Sequence, residues 1–457
     1  MAGDNKIIGY LPLTSNTVLF VVVISSLLVI ILSSSEDLFC SPKRLVVYPL
    51  TNVDLFLIYS VVFTIVNVYF LKLSRLKELQ TKFRSFLYLV IFCNQALISL
   101  ILFIINGQIR IESLYYNGLF YSIIYSSLIT SVTFSAIAGI HFIRWFMYRK
   151  NYLVLTYGLV MLTLSINSII GIVYMWQVSL IHNFIIEYSS CSAMKGALRD
   201  NNPDFANSLS NVYDITSFLS FILAWLVTAS MLKLHSKNKS RFIYSIVIIL
   251  PLIFFLTRYE VGLYYLLGNQ AENILGTVRL SDSIYGSSII ENILNSNLQI
   301  GGALFGLAFF IVALNLRGGS LQKKSLIITG IGMMFLFGSK DIGTLNLSSY
   351  PPLGATSITL MGLASYMTYV GILSSATITA RDNSLRNDLR EKIENNMTLL
   401  RSISSSQHQI DIERNVKQVM KLSSEWKDDN HQENMSEEEL KNIVRDVISE
   451  VKRAREV

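Results

Sequence analysis

A charged and aromatic cluster in the second half of the chain has the residue types to bind a polar ligand. Arg258 and Glu260 flank Tyr259, and Tyr264 and Tyr265 follow about one helical turn later. A charge pair beside stacked tyrosines could frame a binding pocket for a polar molecule at a membrane boundary. The same residue types also form the aromatic belt of membrane proteins, in which an arginine extends its charged end toward water. Arg258, Glu260, Tyr264 and Tyr265 are therefore candidate ligand-binding residues, with the belt as the alternative.

The three cysteines are the candidates for thiol chemistry. Cys93 lies inside an apolar segment, where a small buried thiol is ordinary. Cys40 and Cys191 fall in polar connections that the charge pattern places on the outer, oxidising side of a membrane. A Cys40–Cys191 disulfide would tie the first outer connection to the third, and two free thiols are the alternative.

Motifs for metal binding and catalysis are absent from the sequence. It contains no CxxC, HExxH, P-loop, GxGxxG or GxSxG motif, so no metal ligands, cofactor or catalytic residues are predicted. His141, close to Arg144, is the only histidine in a long apolar segment, and an interfacial position suits it better than a proton relay. The pattern favours a protein that is not an enzyme, although many membrane enzymes have no compact motif.

Composition identifies the broad class of protein. Hydrophobic residues make up 52% of the chain and charged residues 15%, whereas soluble domains carry about 25% charge. Residues 379–457 hold 14 of the 38 Lys and Arg and 16 of the 31 Asp and Glu. This distribution excludes a conventional globular enzyme, a disordered protein and a disulfide-rich scaffold. It indicates a membrane protein with a polar C-terminal region.

Long apolar segments predict an all-α transmembrane bundle. About 20 apolar residues in a helix cross a hydrocarbon core, and the runs are continuously apolar rather than alternating, which excludes barrel strands. The chain is expected to divide into a membrane domain, 1–378, and a cytoplasmic helical tail, 379–457. The ten predicted spans are 17–33, 52–71, 85–106, 118–143, 152–178, 213–232, 242–257, 298–315, 325–339 and 355–378.

Basic residues predict the orientation of the bundle. The connections after every second span contain 15 Lys and Arg in 39 residues, and those on the opposite side contain 8 in 118 residues. Since basic connections stay in the cytoplasm, both termini of a ten-span chain are expected in the cytoplasm. The protein itself is expected in the cell membrane. The four basic connections are 72–84, 144–151, 233–241 and 316–324.

Polar and small residues inside the spans allow two interpretations. Asn67, Asn94, Gln95 and Asn167 could line a path for a neutral solute or hydrogen-bond between helices. Small residues recur every four positions at Ser131, Ser135 and Gly139, and again at Gly302 and Gly306. Such spacing lets helix backbones approach closely, and packing within the chain is favoured over dimerisation.

The tail is predicted to be helical and to dock. An apolar stripe runs from Leu385 to Leu400, and Ser404-Ser405-Ser406 is expected to break the helix. Ser436 and Glu439 have the spacing of a capping box. One apolar helix face follows, consisting of Leu440, Ile443, Val444, Val447, Ile448 and Val451.

That face is a candidate surface for a protein partner or for self-association, including a coiled coil. The alternative is a helix that folds back on its own tail or on the membrane surface. The nearly balanced charge of the tail argues against nucleic-acid binding.

The stretch from Ala380 to Arg386, ARDNSLR, followed by a helical tail, resembles that of uncharacterised archaeal multi-pass membrane proteins. The resemblance covers the last two spans and the beginning of the tail. It carries no catalytic motif and implies no activity.

The leading hypothesis from the sequence is a sensory or scaffold-type membrane protein. Its outer loops would face the environment and its tail would dock a cytoplasmic partner, with the lipid bilayer around the spans. The ten predicted spans contain no Lys or Arg, and this core together with the patterned tail motivates the interpretation. The alternative is a transporter or channel for a neutral or lipophilic solute, because ten helices are common in such proteins.

Overall fold

A computed structural model describes part of the chain, and nearly all of that part is helical. Uninterrupted apolar runs without internal proline favour helices, since a helix satisfies its own backbone hydrogen bonds. The described residues are 52–75, 82–112, 114–148, 150–181, 185–187, 203–235, 248–249, 305–313, 320–339, 355–381, 402–412 and 414.

The described helices contain or overlap several predicted spans. The predicted spans 17–33 and 242–257 lie outside the described residues apart from 248–249, and 298–315 is described only in part. Ten spans therefore stay a prediction. In chain order the helices are α1 (Asn52–Ser74), α2 (Lys82–Glu112), α3 (Asn117–Tyr148), α4 (Tyr152–Ile181), α5 (Pro203–His235), α6 (305–313), α7 (Ser320–Gly338), α8 (Ala355–Arg381) and α9 (402–412).

Within the described ranges, five helices are long and apolar enough to cross a membrane by length and composition. These apolar helices indicate a membrane protein. A shorter apolar stretch, Ile215–Ser230, lies in α5. The five candidate spans are Phe56–Ser74, Phe83–Glu112, Gly118–Tyr148, Tyr152–Trp176 and Ile358–Thr379.

A short β ribbon links two connections. Strand β1 (Leu114–Tyr116) pairs antiparallel with β2 (Ile185–Glu187), with Tyr115 opposite Ile186. β1 joins α2 to α3, and β2 follows α4. The charge pattern assigned both connections to the same side of a membrane, and the pairing agrees with that assignment.

Helix α8 lies at the centre of the bundle. It contacts α7, α3, α1 and α2, while α4 packs against α3 and α5. Of the five candidate spans, the one in α8 is the least apolar and 89% buried, whereas the one in α2 is the most apolar and 33% buried. Large apolar side chains cover the outer surface of α2, including Phe86, Leu97 and Leu100. This gradient matches a bundle whose outer surface meets lipid.

Glycines allow close helix crossings. A Cβ on Gly139 of α3 would lie 3.2 Å from the carbonyl oxygen of Gly158 on α4. A Cβ on Gly306 would lie 2.1 Å from Met334 Cγ and 2.3 Å from the oxygen of Gly330, so α6 and α7 pack with backbones in contact. The expectation that Gly139 and Gly306 serve packing within the chain is confirmed.

Helix α9 corrects one expectation for the tail. Ser404, Ser405 and Ser406 lie inside a helix, so the prediction that they break it is wrong. Ile403, which precedes them, is buried in the main hydrophobic core. Tertiary contacts outweigh the low helix propensity of serine here, because the helix packs against the bundle.

Candidate functional site

The sites predicted from the sequence lie outside the described residues. This applies to the candidate ligand-binding residues Arg258, Glu260, Tyr264 and Tyr265, and to the candidate disulfide of Cys40 and Cys191. It also applies to the candidate docking face of the tail, Leu440, Ile443, Val444, Val447, Ile448 and Val451. All three remain predictions. The structure instead brings together a polar cluster that these predictions did not include.

This cluster lies at one end of the bundle, here called the basic end, where α1, α3 and α8 finish and α2 and α7 begin. The guanidinium of Arg84 on α2 donates to Ser374 Oγ at 3.4 Å and to Thr377 Oγ1 at 3.3 Å, both on α8. Thr377 donates its own proton to the Leu373 carbonyl at 2.7 Å. Its oxygen can therefore accept from arginine. A half-buried charge thus joins the peripheral helix α2 to the central helix α8.

The α7–α8 pair adds a further polar contact at the same end. Gln322, near the beginning of α7, donates from Nε2 to Thr379 Oγ1 at 3.0 Å. Basic side chains surround the end at the described positions Lys72, Arg75, Arg144, Lys150, Lys323 and Lys324. Arg75 also lies over the ring of Tyr88, 5.5 Å from its centroid. Residues of three predicted basic connections thus lie at one end, as the charge pattern requires.

Aromatic side chains fill the space between α3 and α8 near this end. The Phe134 ring lies 5.1 Å from Tyr366, and the His141 ring lies 5.8 Å from Tyr369. The Tyr366 hydroxyl also hydrogen-bonds with the side chain of Ser74, at the last position of α1. Edge-to-face ring contacts are directional, so these rings determine how α3 and α8 are rotated against each other.

His141 serves this packing. Its Nδ1 lies 2.9 Å from the Ile137 carbonyl oxygen, and a carbonyl can only accept, so Nδ1 carries a proton. Its ring meets Tyr369 on one neighbour and Trp145, 6.3 Å away, on its own helix. His141 is half-buried near the end of α3, which fits the interfacial position expected from the sequence.

The tail helix α9 attaches to the last turn of α3. The indole Nε1–H of Trp145 donates to Gln407 Oε1 at 3.1 Å, and Ser406 Oγ donates to the Trp145 carbonyl at 3.0 Å. That carbonyl is among the last four of α3, which have no partner inside a helix. Gln407 Nε2 donates to Asp411 Oδ1 at 3.0 Å, which orients the amide oxygen toward the indole. These bonds are here called the tail contact.

The amides predicted inside the spans divide into two groups. Asn167 Nδ2 donates to the Tyr213 carbonyl at 3.1 Å and to Thr216 Oγ1 at 2.9 Å, joining α4 to α5. Ser126 donates to Asn94 Oδ1, joining α3 to α2. These two amides therefore hydrogen-bond between helices. Asn67 and Gln95 are 2% and 1% exposed, and none of their amide atoms has a partner in the structure.

The contacts given above are apolar packing, hydrogen bonds between neutral groups, and the hydrogen bonds that the charged Arg84 donates. Among the described residues, no group of three or more His, Cys, Asp or Glu could hold a metal ion. The basic-end cluster joins arginine to hydroxyls and tyrosine to serine, with no arrangement of nucleophile and base within that cluster. Its contacts join helices to one another and join the tail to α3.

Sequence reasoning missed Trp145, Ser406 and Gln407 because their partners are distant in the chain. A tryptophan near the end of a span also suits an aromatic belt, and three serines in a row suit a helix end. Arg84 was counted as one of the basic residues of a connection. Ile403, an isolated apolar residue beside the serines, is the signal in the sequence that could have indicated the contact. An apolar side chain in such a polar segment indicates that the segment packs against another part of the protein.

The chain was also compared with known proteins. No protein family model, no curated protein and no solved structure matches it.

Proposed function

We propose that this chain is a multi-pass integral membrane protein of sensory or scaffold type. Its outer loops face the environment and both termini lie in the cytoplasm. Its tail carries the state of the bundle to a cytoplasmic partner. The observation that supports this function is the tail contact, in which α9 binds the end of α3 beside the central helix α8.

The packing of α3 and α8 provides a route for coupling. Ser127 on α3 donates to the Ile358 carbonyl of α8 at 2.6 Å, and Ser131 hydrogen-bonds with Ser365 at 2.9 Å. The His141–Tyr369 ring contact follows toward the basic end, and Trp145 lies one turn beyond His141. A movement of α8 against α3 would therefore alter the surface that holds α9. A ligand can exploit such a contact if it binds two arrangements unequally.

Hydrogen exchange on the full chain in nanodiscs tests this coupling. A Cβ at Gly362 of α8 would lie 2.2 Å from Thr130 Oγ1 of α3, so Gly362→Ala pushes these helices apart. We expect faster amide exchange in 402–412, at the far end of the helix pair. Gly107→Ala is the matched control, because a Cβ there meets nothing within 4 Å. Unchanged exchange in 402–412, with altered exchange in α3 and α8, would count against coupling.

Native cysteines test the orientation of the chain. A membrane-impermeant maleimide added to intact cells after reduction should label Cys40 and Cys191, which the proposed topology places outside. Comparison of labelling before and after reduction also tests the proposed disulfide. Labelling that requires permeabilised cells would reverse the assignment of sides.

Removal of 436–457 tests the docking role of the tail. Proteins crosslinked to the full-length tail in cells are compared with those crosslinked to the truncated chain, with equal membrane insertion as the control. A partner that depends on the face containing Ile443 and Val447 is expected. Identical partners for both chains would reject that face as the docking surface.

A further inference from the structure

We propose that Asn67 and Gln95, here called the deep amides, form a binding site for a small neutral solute with both hydrogen-bond donors and acceptors. Both side chains turn inward: Asn67 is 2% and Gln95 1% exposed. On the same helices, Ile65 and Val68 of α1 and Leu97 of α2 are at least half exposed. The amides therefore lie on the faces of α1 and α2 that pack into the bundle.

An ion pair places the deep amides at one depth. Arg110 Nη2 of α2 lies 2.8 Å from Asp54 Oδ1 of α1, which aligns the two antiparallel helices. Asn67 follows Asp54 by 13 residues and Gln95 precedes Arg110 by 15. At 1.5 Å per residue these separations are about 20 Å and 22 Å. The two amides thus lie in one layer, well inside a hydrocarbon core of about 30 Å.

The remaining hydrogen-bonding capacity of this layer is large. Both deep amides have a buried nitrogen and a buried oxygen without a partner in the structure. These atoms are Nδ2 and Oδ1 of Asn67 and Nε2 and Oε1 of Gln95. Ser126 donates to Asn94 Oδ1, and Gly362 N–H donates to Ser127 Oγ at 3.2 Å. Asn94 Nδ2, beside Gln95 in the chain, is also buried and without a partner. Unpartnered buried polar groups are costly and call for an explanation. A bound molecule that pairs with all four atoms provides one.

The chemistry of the site defines the class of ligand. Two amides present N–H donors and carbonyl acceptors, so a complementary ligand needs both kinds of group. A buried ion would need an opposite charge beside it, and the described residues within one turn of Asn67 and Gln95 on α1 and α2 carry none. A neutral primary amide or a similar small polar solute fits these conditions. The site does not depend on the tail contact.

Thermal unfolding of the full chain in nanodiscs tests the site with acetamide as the probe. A ligand that binds only the folded state raises the midpoint in a saturable way, and we expect a rise of a few degrees. N,N-dimethylacetamide, which has no N–H donor, should give no saturable rise. The combined variant Asn67→Leu and Gln95→Met should lose the response, because both replacements keep the approximate side-chain length and remove the polar atoms.

Two controls separate binding from folding. Asn167→Leu removes an amide whose Nδ2 already donates to two protein acceptors, so this variant should keep the acetamide response. If the combined variant does not fold, Gln95→Met alone provides the comparison. A saturable response that is lost only with the deep amides supports the site. Equal responses in the wild type and the variant, or none in either, would overturn it and leave water as the partner of these amides.

Discussion

The indole of Trp145 donates to the side-chain oxygen of Gln407 at 3.1 Å, across 262 positions of the chain. Both side chains are buried, and the Trp145 carbonyl accepts from Ser406 at 3.0 Å. One residue at the end of α3 thus holds α9 through its side chain and its backbone. Segment 402–412 of the polar tail is therefore packed against the bundle.

Trp145→Phe should weaken the attachment of α9 to α3. The variant keeps an aromatic ring but leaves Gln407 Oε1 buried without a donor, which costs about 1–3 kcal/mol. Because each 1.4 kcal/mol is a factor of ten, we expect amide exchange in 402–412 to quicken about tenfold. Ser405→Ala is the control, since Ser405 bonds only Ser402 of its own helix in the structure. Equal exchange in the two variants would show that another contact holds α9.

Gly306→Ala should weaken the packing of α6 against α7. The added carbon would meet Met334 Cγ at 2.1 Å and the Gly330 oxygen at 2.3 Å, so the helices must separate. Overpacking of this kind costs about 1–3 kcal/mol, measured as the free energy of unfolding in mixed micelles. Gly107→Ala, which has open space around it, should be neutral or slightly stabilising. Similar losses in both variants would contradict the crossing.

Leu97→Lys should impair membrane insertion and folded yield. Leu97 is 50% exposed on the apolar surface of α2, and a lysine deep in a membrane span costs about 2.5–3.5 kcal/mol on insertion scales. Ile111→Lys is the control, because Ile111 is 84% exposed at the end of α2. The two variants are compared by the folded fraction recovered from membranes. Equal recovery would mean that the exposed face of α2 does not meet lipid.

The Arg110–Asp54 ion pair should contribute little to stability. Its side chains are 49% and 38% exposed, so solvent screens the attraction, and such pairs are worth about 0.2–1 kcal/mol. A double-mutant cycle with Arg110→Gln and Asp54→Asn measures the coupling. The coupling should shrink further as salt increases. A value well above this range, independent of salt, would indicate a more strongly desolvated pair.

Local sequence properties determined which segments form helices and showed that these helices are apolar enough for a membrane protein. Continuous apolar runs predicted helices that the structure places at Asn52–Ser74, Lys82–Glu112, Asn117–Tyr148 and Tyr152–Ile181. The spacing of Gly139 and the GxxxG containing Gly306 predicted close crossings. Basic connections predicted which helix ends lie together, and Arg84, Arg144 and Lys323 do lie at one end. These properties depend on neighbouring residues only, so a single sequence contains them.

Tertiary structure alone decided which helix is central and which polar groups find partners. Lipid and protein interior are both apolar, so hydropathy does not distinguish a face that meets lipid from one that meets another helix. The sequence of α8 therefore did not reveal that it is the most buried candidate span. In the same way, Asn94, Gln95 and Asn167 are all amides in apolar runs. In the folded bundle Asn94 pairs with Ser126 and Asn167 with Tyr213, whereas Gln95 has no partner in the structure. Only the arrangement of the helices decides this, because a hydrogen bond between helices depends on the depth and rotation of each helix.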